Sequence, residues 1–200
     1  MEISVKQTKA FLSYPEPWLS KALFASRASV PFWTMVRLYL GYLWLNAGWG
    51  KVTNPAWVGP EAGGAVKGFL GNALTLTTGE HPNVQGWYAW LIERVFIPNA
   101  SIMSHLVAFG EVLIGLALIL GFFTGVSAFM GGLLNATFLF AGTVSTNPLM
   151  FVLATWLVLA WRVGGYWGLD HWVLPWLGAP RGNWRKSKDD GVSRGNKSAA

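Results

Sequence analysis

Four long apolar stretches constrain this chain more than any other feature. They run over residues 31–50, 100–121, 124–144 and 148–166. Each is about 19–22 residues long, which at ~1.5 Å per residue spans the ~30 Å hydrocarbon core of a bilayer. One such stretch also fits the buried helix of a soluble protein. Four within 200 residues, in a chain 52% hydrophobic and only 12% charged, do not, because an ordinary globular domain is about a quarter charged. The 13 tryptophans fit the same solvent, since indole combines an apolar ring with an N–H that seeks a partner at the membrane–water interface. The expected fold is all-α, an integral membrane four-helix bundle with a long extracytoplasmic loop.

The links between the stretches support four crossings. Gly121-Phe-Phe-Thr-Gly125 joins the second to the third, with Thr124 as a helix cap and glycines permitting the reversal. Before the fourth, Asn147 reads as an N-cap and Pro148 as a first helical residue. Links this short place successive helices antiparallel.

Basic residues orient the layout. Lys6, Lys9, Lys21 and Arg27 precede the first stretch, and Arg162, Arg181, Arg185, Lys186, Lys188, Arg194 and Lys197 lie at the C-terminal end. The long first loop holds only Lys51, Lys67 and Arg94, and the two short links hold none. The positive-inside rule places both termini in the cytoplasm of a multi-pass plasma-membrane protein. The net charge of +6 is accounted for by these flanks, which argues against a nucleic-acid partner. Residues 1–30 are expected to form a cytoplasmic segment with an in-plane helix around 18–30, residues 31–177 the membrane domain, and residues 178–200 a basic, disordered tail. The loop 52–99 is too long to lack structure. Its end, 83–97, aligns Trp87, Trp90, Leu91 and Val95 on one face of a helix expected at the outer interface.

Ionisable groups inside hydrocarbon need a partner or a function. Counted along the helices at ~1.5 Å per residue, Arg37 lies roughly 9 Å from the inner edge, Arg162 roughly 6 Å and Glu111 roughly 15 Å, near the midplane, with Asn135 at a similar level. These four form an expected inner layer. The arginines suit an anion or quinone carbonyl, and Glu111 suits proton transfer. A structural alternative is that an Arg–Glu pair and an Asn hydrogen bond tie the helices together. An outer layer of His105, Asn46 and Lys51 is expected toward the other face, where His105 suits proton exchange near neutral pH. His81, His105 and His171 fall in three separate regions, so paired haem ligation is not expected, and no metal motif is present. The chain contains no cysteine, which excludes thiolate, persulfide and iron–sulfur chemistry on it.

Several motifs within these stretches resemble the DoxX/DoxD family of membrane proteins. They are Arg37-Leu-Tyr-Leu-Gly41 leading to Ala47-Gly-Trp-Gly-Lys51, Gly110-Glu111 followed by Gly115-Leu-Ala-Leu and Gly121, and Asn147-Pro148 with the ending Gly164-Gly-Tyr-Trp-Gly-Leu-Asp170. The long first loop and Gly142-Thr-Val-Ser-Thr-Asn-Pro148 are closer to the DoxD branch, associated with thiosulfate:quinone oxidoreductase. The resemblance implies oxidation of thiosulfate to tetrathionate, with a membrane quinone as electron acceptor and a DoxA-like partner subunit or a homo-oligomer. It makes Arg37, Lys51 and Arg162, with Asn46 and Asn135, candidates for substrate binding, and Glu111 and His105 candidates for the proton steps. Two further readings stay open: a non-catalytic anchor for a soluble redox partner, and a small-molecule transporter.

Overall fold

The computed structural model describes residues 17–178. The expected disordered tail and the first half of the N-terminal segment lie outside the described residues. Among the described residues every regular element is helical. In chain order these are α1 (Trp18–Phe24), a 3-10 turn (Arg27–Ser29), α2 (Val30–Val52), α3 (Pro55–Val58), α4 (Gly64–Thr75), α5 (Gly86–Leu91), a π-helical turn (Ile92–Phe96), α6 (Ala100–Leu120), α7 (Thr124–Phe140), α8 (Asn147–Leu159), α9 (Trp161–Gly164) and α10 (Asp170–Trp176).

The four apolar stretches form helices α2, α6, α7 and α8, with differences. Among the described residues α6, at 21 residues, is the helix long and apolar enough to cross a membrane. Helix α2 is longer, at 23 residues, but Arg37, Asn46, Lys51 and its tyrosines dilute its apolar character. Helix α7 has 17 residues. It ends early because Gly142 turns left-handed (φ 79°) and the Thr143 amide folds back onto the Phe138 carbonyl at 3.1 Å, a Schellman closure. The fourth stretch is interrupted. Helix α8 has 13 residues, and the amides of Val163 and Gly164 then both turn back to the Ala160 carbonyl, at 2.9 and 2.8 Å. That bend brings Val163 and Gly164 into the core beside Trp33 and Leu157.

Helix α2 packs along α6 and α7 along α8, while α6 also meets α7 and α2 meets α8 and α9. Trp33, Leu40 and Trp44 of α2 share one core with Leu118, Ala128, Met150, Ala154 and Leu157. The opposite faces are just as apolar. Leu106, Leu113 and Leu120 of α6, Phe129 and Leu133 of α7, and Val152, Trp156 and Leu159 of α8 are all exposed. Apolar surface on that scale is foreign to a monomer surrounded by water.

The long loop forms a second core. Val66, Leu70 and Ala73 of α4 pack with Val84, Tyr88 and Ile92 over Ala100 and Ala141, at one end of α6 and α7. Helix α4 was not anticipated, since Gly64, Gly68 and Gly71 weaken its helical signal. The helix expected over 83–97 is shorter and changes to π geometry at Ile92. Trp87 and Trp90 do face outward, whereas Tyr88 and Ile92 supply the buried side. Burial pushes the Tyr88 phenol up to about 12, so it stays protonated and donates to the Thr137 carbonyl at 2.7 Å. Tyr88→Phe removes that donor, while the Thr137 carbonyl keeps the Ala141 amide at 3.1 Å, and the loss is expected to cost about 0.5–1.5 kcal/mol, read as a lower midpoint in detergent thermal unfolding. An unchanged midpoint would show that this bond does not hold the loop to α7.

At the opposite end, the expected in-plane helix resolves into α1 and the 3-10 turn. Helix α1 buries no side chain. It is tied down by the Trp33 indole, which donates to the Leu23 carbonyl at 2.7 Å. Arg27 donates to the Tyr166 hydroxyl at 2.9 Å, so the two ends of the described chain lie side by side.

Candidate functional site

The polar residues of the interior form two separate centres, not one inner layer. The first joins α2 to α6. Lys51 Nζ lies 2.6 Å from Glu111 Oε2. Glu111 is 1% exposed and the Lys51 side chain 21%, so the carboxylate is sealed while its cation reaches the surface. The ammonium also sits 5.2 Å from the centre of the Trp57 ring, within cation–π range. Trp57 is fixed in turn by Ser104, whose hydroxyl donates to the Trp57 carbonyl at 2.6 Å. Asn54 caps α3 by accepting from the Ala56 amide at 2.9 Å, which brings Trp57 back over the end of α2.

Glycines set the depth of this pair. A Cβ on Gly48 would lie 2.6 Å from the Val112 nitrogen, and one on Gly115 would lie 2.5 Å from the Leu45 nitrogen. The two backbones touch there, and the contact slides α2 so that its last turn reaches the middle of α6. Lys51, expected at the membrane edge in the outer layer, therefore pairs with Glu111, which was expected in the inner one.

The second centre surrounds the α6–α7 turn. Arg37 is 2% exposed. Its Nη1 donates to the Leu118 carbonyl and, at 2.9 Å, to that of Ile119, while Nη2 donates to the Trp167 carbonyl at 3.2 Å. The first two are C-terminal carbonyls of α6, where the helix leaves acceptor capacity unfilled, and the third belongs to the segment between α9 and α10. Asp170, 3% exposed, does the reverse for α7, accepting from the amides of Phe123 at 2.6 Å and Thr124 at 2.8 Å. The backbone amides of Leu169 and Asp170 donate to the carbonyls of Leu120 and Gly121. A guanidinium at a helix C-terminus and a carboxylate at a helix N-terminus both complement the helix dipoles. The expected Arg37–Glu111 grouping is corrected on this point: Arg37 is occupied by backbone, on the far side of the core from Lys51.

The remaining candidates are dispersed. Arg162 is exposed and stacks on its neighbour Trp161, 5.1 Å from the ring centre, so it leaves the expected inner layer. Asn135 is fully buried and donates to the Asn147 carbonyl at 3.0 Å, tying α7 to the start of α8. Asn46 is exposed on α2. His105 is half-buried, with Nδ1 2.7 Å from the Ser101 carbonyl and its ring stacked on Phe109. The expected His105–Asn46–Lys51 layer thus gives way to Lys51 with Trp57 and Glu111.

Sequence reasoning gave no role to Asp170 or Trp57. Asp170 closes the Gly164–Asp170 motif, and its place among glycines was the available signal. A Cβ on Gly165 would overlap its carboxylate, and one on Gly168 would lie 2.7 Å from the Gly121 Cα. Trp57 carried no signal beyond standing shortly after Lys51. Among the described residues no group of histidines and carboxylates could hold a metal ion.

Residues 32–179 match the family described as TQO small subunit DoxD. No curated protein and no solved structure matches the chain.

Proposed function

This chain belongs to the DoxD family, and on that premise we propose that it is the membrane subunit of an oxidoreductase that passes electrons from thiosulfate, or a similar sulfur anion, to a membrane quinone. The observation that carries the reading is the Lys51–Glu111 pair, a surface-reaching cation backed by a sealed carboxylate in the apolar interior. Intramembrane ionisable pairs of this kind mark substrate and proton pathways. Lys51 contacts the sulfur anion, and Glu111 carries a proton toward the quinone oxygen. Two thiosulfates lose one electron each as their sulfur–sulfur bond forms, and the quinone takes up both electrons and two protons. With no cysteine in the chain, that bond joins the bound anions directly or forms on a DoxA-like partner subunit.

The membrane layout supports the same reading. Helices α2, α6, α7 and α8, the last continued through α9, cross the bilayer with their exposed leucines and phenylalanines in lipid. Both basic ends then share the cytoplasmic face, and the second core with Lys51 beneath it faces outward. An external anion meets Lys51 first. His105 lies at the same end of α6 and is available for proton exchange with solvent.

The test is thiosulfate-dependent quinone reduction by proteoliposomes containing the chain and its partner subunit. Glu111→Gln and Lys51→Gln are each expected to lower turnover by on the order of 10²-fold or more. The double variant buries no lone charge, so it should fold as the natural chain does while remaining inactive. Full activity in the double variant would end the assignment of this pair.

A further inference from the structure

At the end of the molecule where α1 meets α9, an open depression of about 400 Å³ lies against the α6–α7 turn. Its walls are mainly Leu120, Tyr166, Trp167, Leu169, His171 and Trp172. The rings form a continuous set, with His171 edge-on to both Tyr166 and Trp172, each at 5.3 Å. Arg27 lies over Tyr166, 5.8 Å from its centre, and donates to its hydroxyl. Arg27 and Lys21 are both exposed. Among the described residues, the carboxylate of this segment, Asp170, is spent on the amides of the turn, so Arg27 gives the rim at Tyr166 a positive charge. Leu113 and Leu116 continue the exposed apolar face of α6 from Leu120 toward the middle of the helix, a course on which an acyl chain can lie.

We infer that this depression seats the headgroup of an anionic phospholipid, with Arg27 at its phosphate and the tryptophans at its glycerol level. Charge complementarity selects the occupant. A neutral quinone has no use for the cationic rim, whereas a polar anionic head on an apolar tail uses both the rim and the leucine track. The inference rests on the membrane reading given above. It carries a structural consequence, because the wall residues Trp167–Trp172 are the segment that grips the α6–α7 turn. Arg37 donates to the Trp167 carbonyl, and Leu169 and Asp170 hold Leu120 through Thr124. A lipid bound to this segment stabilises the clamp by mass action.

The experiment is thermal unfolding of the purified full chain in detergent, titrated with phosphatidylglycerol or with phosphatidylcholine of the same acyl chains. At tenfold excess over its Kd, phosphatidylglycerol should raise the midpoint by roughly 3–6 °C and phosphatidylcholine should not. Arg27→Gln and Trp172→Ala, neither of which touches the Lys51–Glu111 pair, should each remove at least half of the difference. Equal shifts with the two lipids, or an undiminished phosphatidylglycerol shift in both variants, would overturn the inference. So would a short-chain quinone that protects the natural chain as well as phosphatidylglycerol does and loses that protection in Trp172→Ala. Alkaline carbonate extraction of membranes separates membrane integration from lipid binding. A chain released by carbonate defeats the membrane reading, while one that stays integral but shows no lipid preference defeats only the lipid site.

Discussion

Asp170→Ala should destabilise this protein by about 3–5 kcal/mol, the range for removing one partner from a buried charged network. The carboxylate is 3% exposed and satisfies the first two amides after the α6–α7 turn, at 2.6 and 2.8 Å. Removing it strands both amides, while Arg37 keeps its backbone acceptors and loses the opposite charge across the turn. Arg37 and Asp170 are electrostatically coupled through the turn without forming the kind of direct ion pair that Lys51 and Glu111 do. The turn itself is strained. Phe123 adopts φ 46°, a left-handed conformation unfavourable for a bulky side chain, and it keeps that conformation because Asp170 holds its amide. Asp170→Asn retains one acceptor and should cost less than the alanine variant. In a double-mutant cycle with Arg37→Met, a non-additive term of about 1–3 kcal/mol is expected. The measurement is unfolding in detergent or yield of folded protein. A wild-type midpoint for Asp170→Ala would show that the turn closes without the clamp. The same experiment separates structure from catalysis at Arg37, where loss of folded protein, not loss of turnover alone, is the expected consequence of substitution.

The sequence makes part of this arrangement legible and leaves part of it hidden. The apolar stretches announced the long helices because twenty apolar residues in a row have few alternatives. Some of their ends are local and legible, with Pro148 in the first turn of α8 and Gly121 left-handed at the end of α6. The expected caps Thr124 and Asn147 are instead the first residues of α7 and α8, and those two helices stop at Phe140 and Leu159, short of the apolar stretches. The family was legible from motifs that proved to be contact points. Gly41, Gly48 and Gly115 hold α2 against α6, and Gly168 meets Gly121. The grouping of polar residues was not legible. Counting depth from helix ends assumes that the ends are level, yet the first half of α6 runs past the end of α2 and is flanked by α3 and α4. Ser104 bonding to Trp57 marks that overlap. Once the helices are offset, Lys51 descends to Glu111 and Arg37 moves to the end of α6. Rotation about each helix axis decided the rest. Arg162 and Asn46 lie at plausible depths but on outward faces.

The offset itself is held by glycine, and this sets the second large effect. On Gly115 a Cβ would lie 2.5 Å from the Leu45 nitrogen and 2.7 Å from its Cα, and on Gly48 it would lie 2.6 Å from the Val112 nitrogen. Backbone atoms inside two long helices cannot turn aside as a side chain can, so one methyl group must push α2 and α6 apart. Gly115→Ala and Gly48→Ala are each expected to cost about 1–3 kcal/mol as overpacking, despite the better helix propensity of alanine. Gly110→Ala is the internal control. It lies on the same helix with nothing within 4 Å of the new Cβ, and should be neutral or stabilising by up to about 1 kcal/mol. Propensity alone predicts the same sign for all three variants, while close backbone contact predicts opposite signs for Gly115 and Gly110. The separation also reaches the polar centre, because Lys51 stands one turn beyond Gly48 and its 2.6 Å contact with Glu111 depends on the same spacing. Gly48→Ala should therefore lose quinone-reducing turnover even at temperatures where it remains folded, and Gly110→Ala should keep it. Equal stability of Gly115→Ala and Gly110→Ala in the same detergent would show that α2 and α6 do not meet through these glycines, and would remove the basis for placing Lys51 beside Glu111.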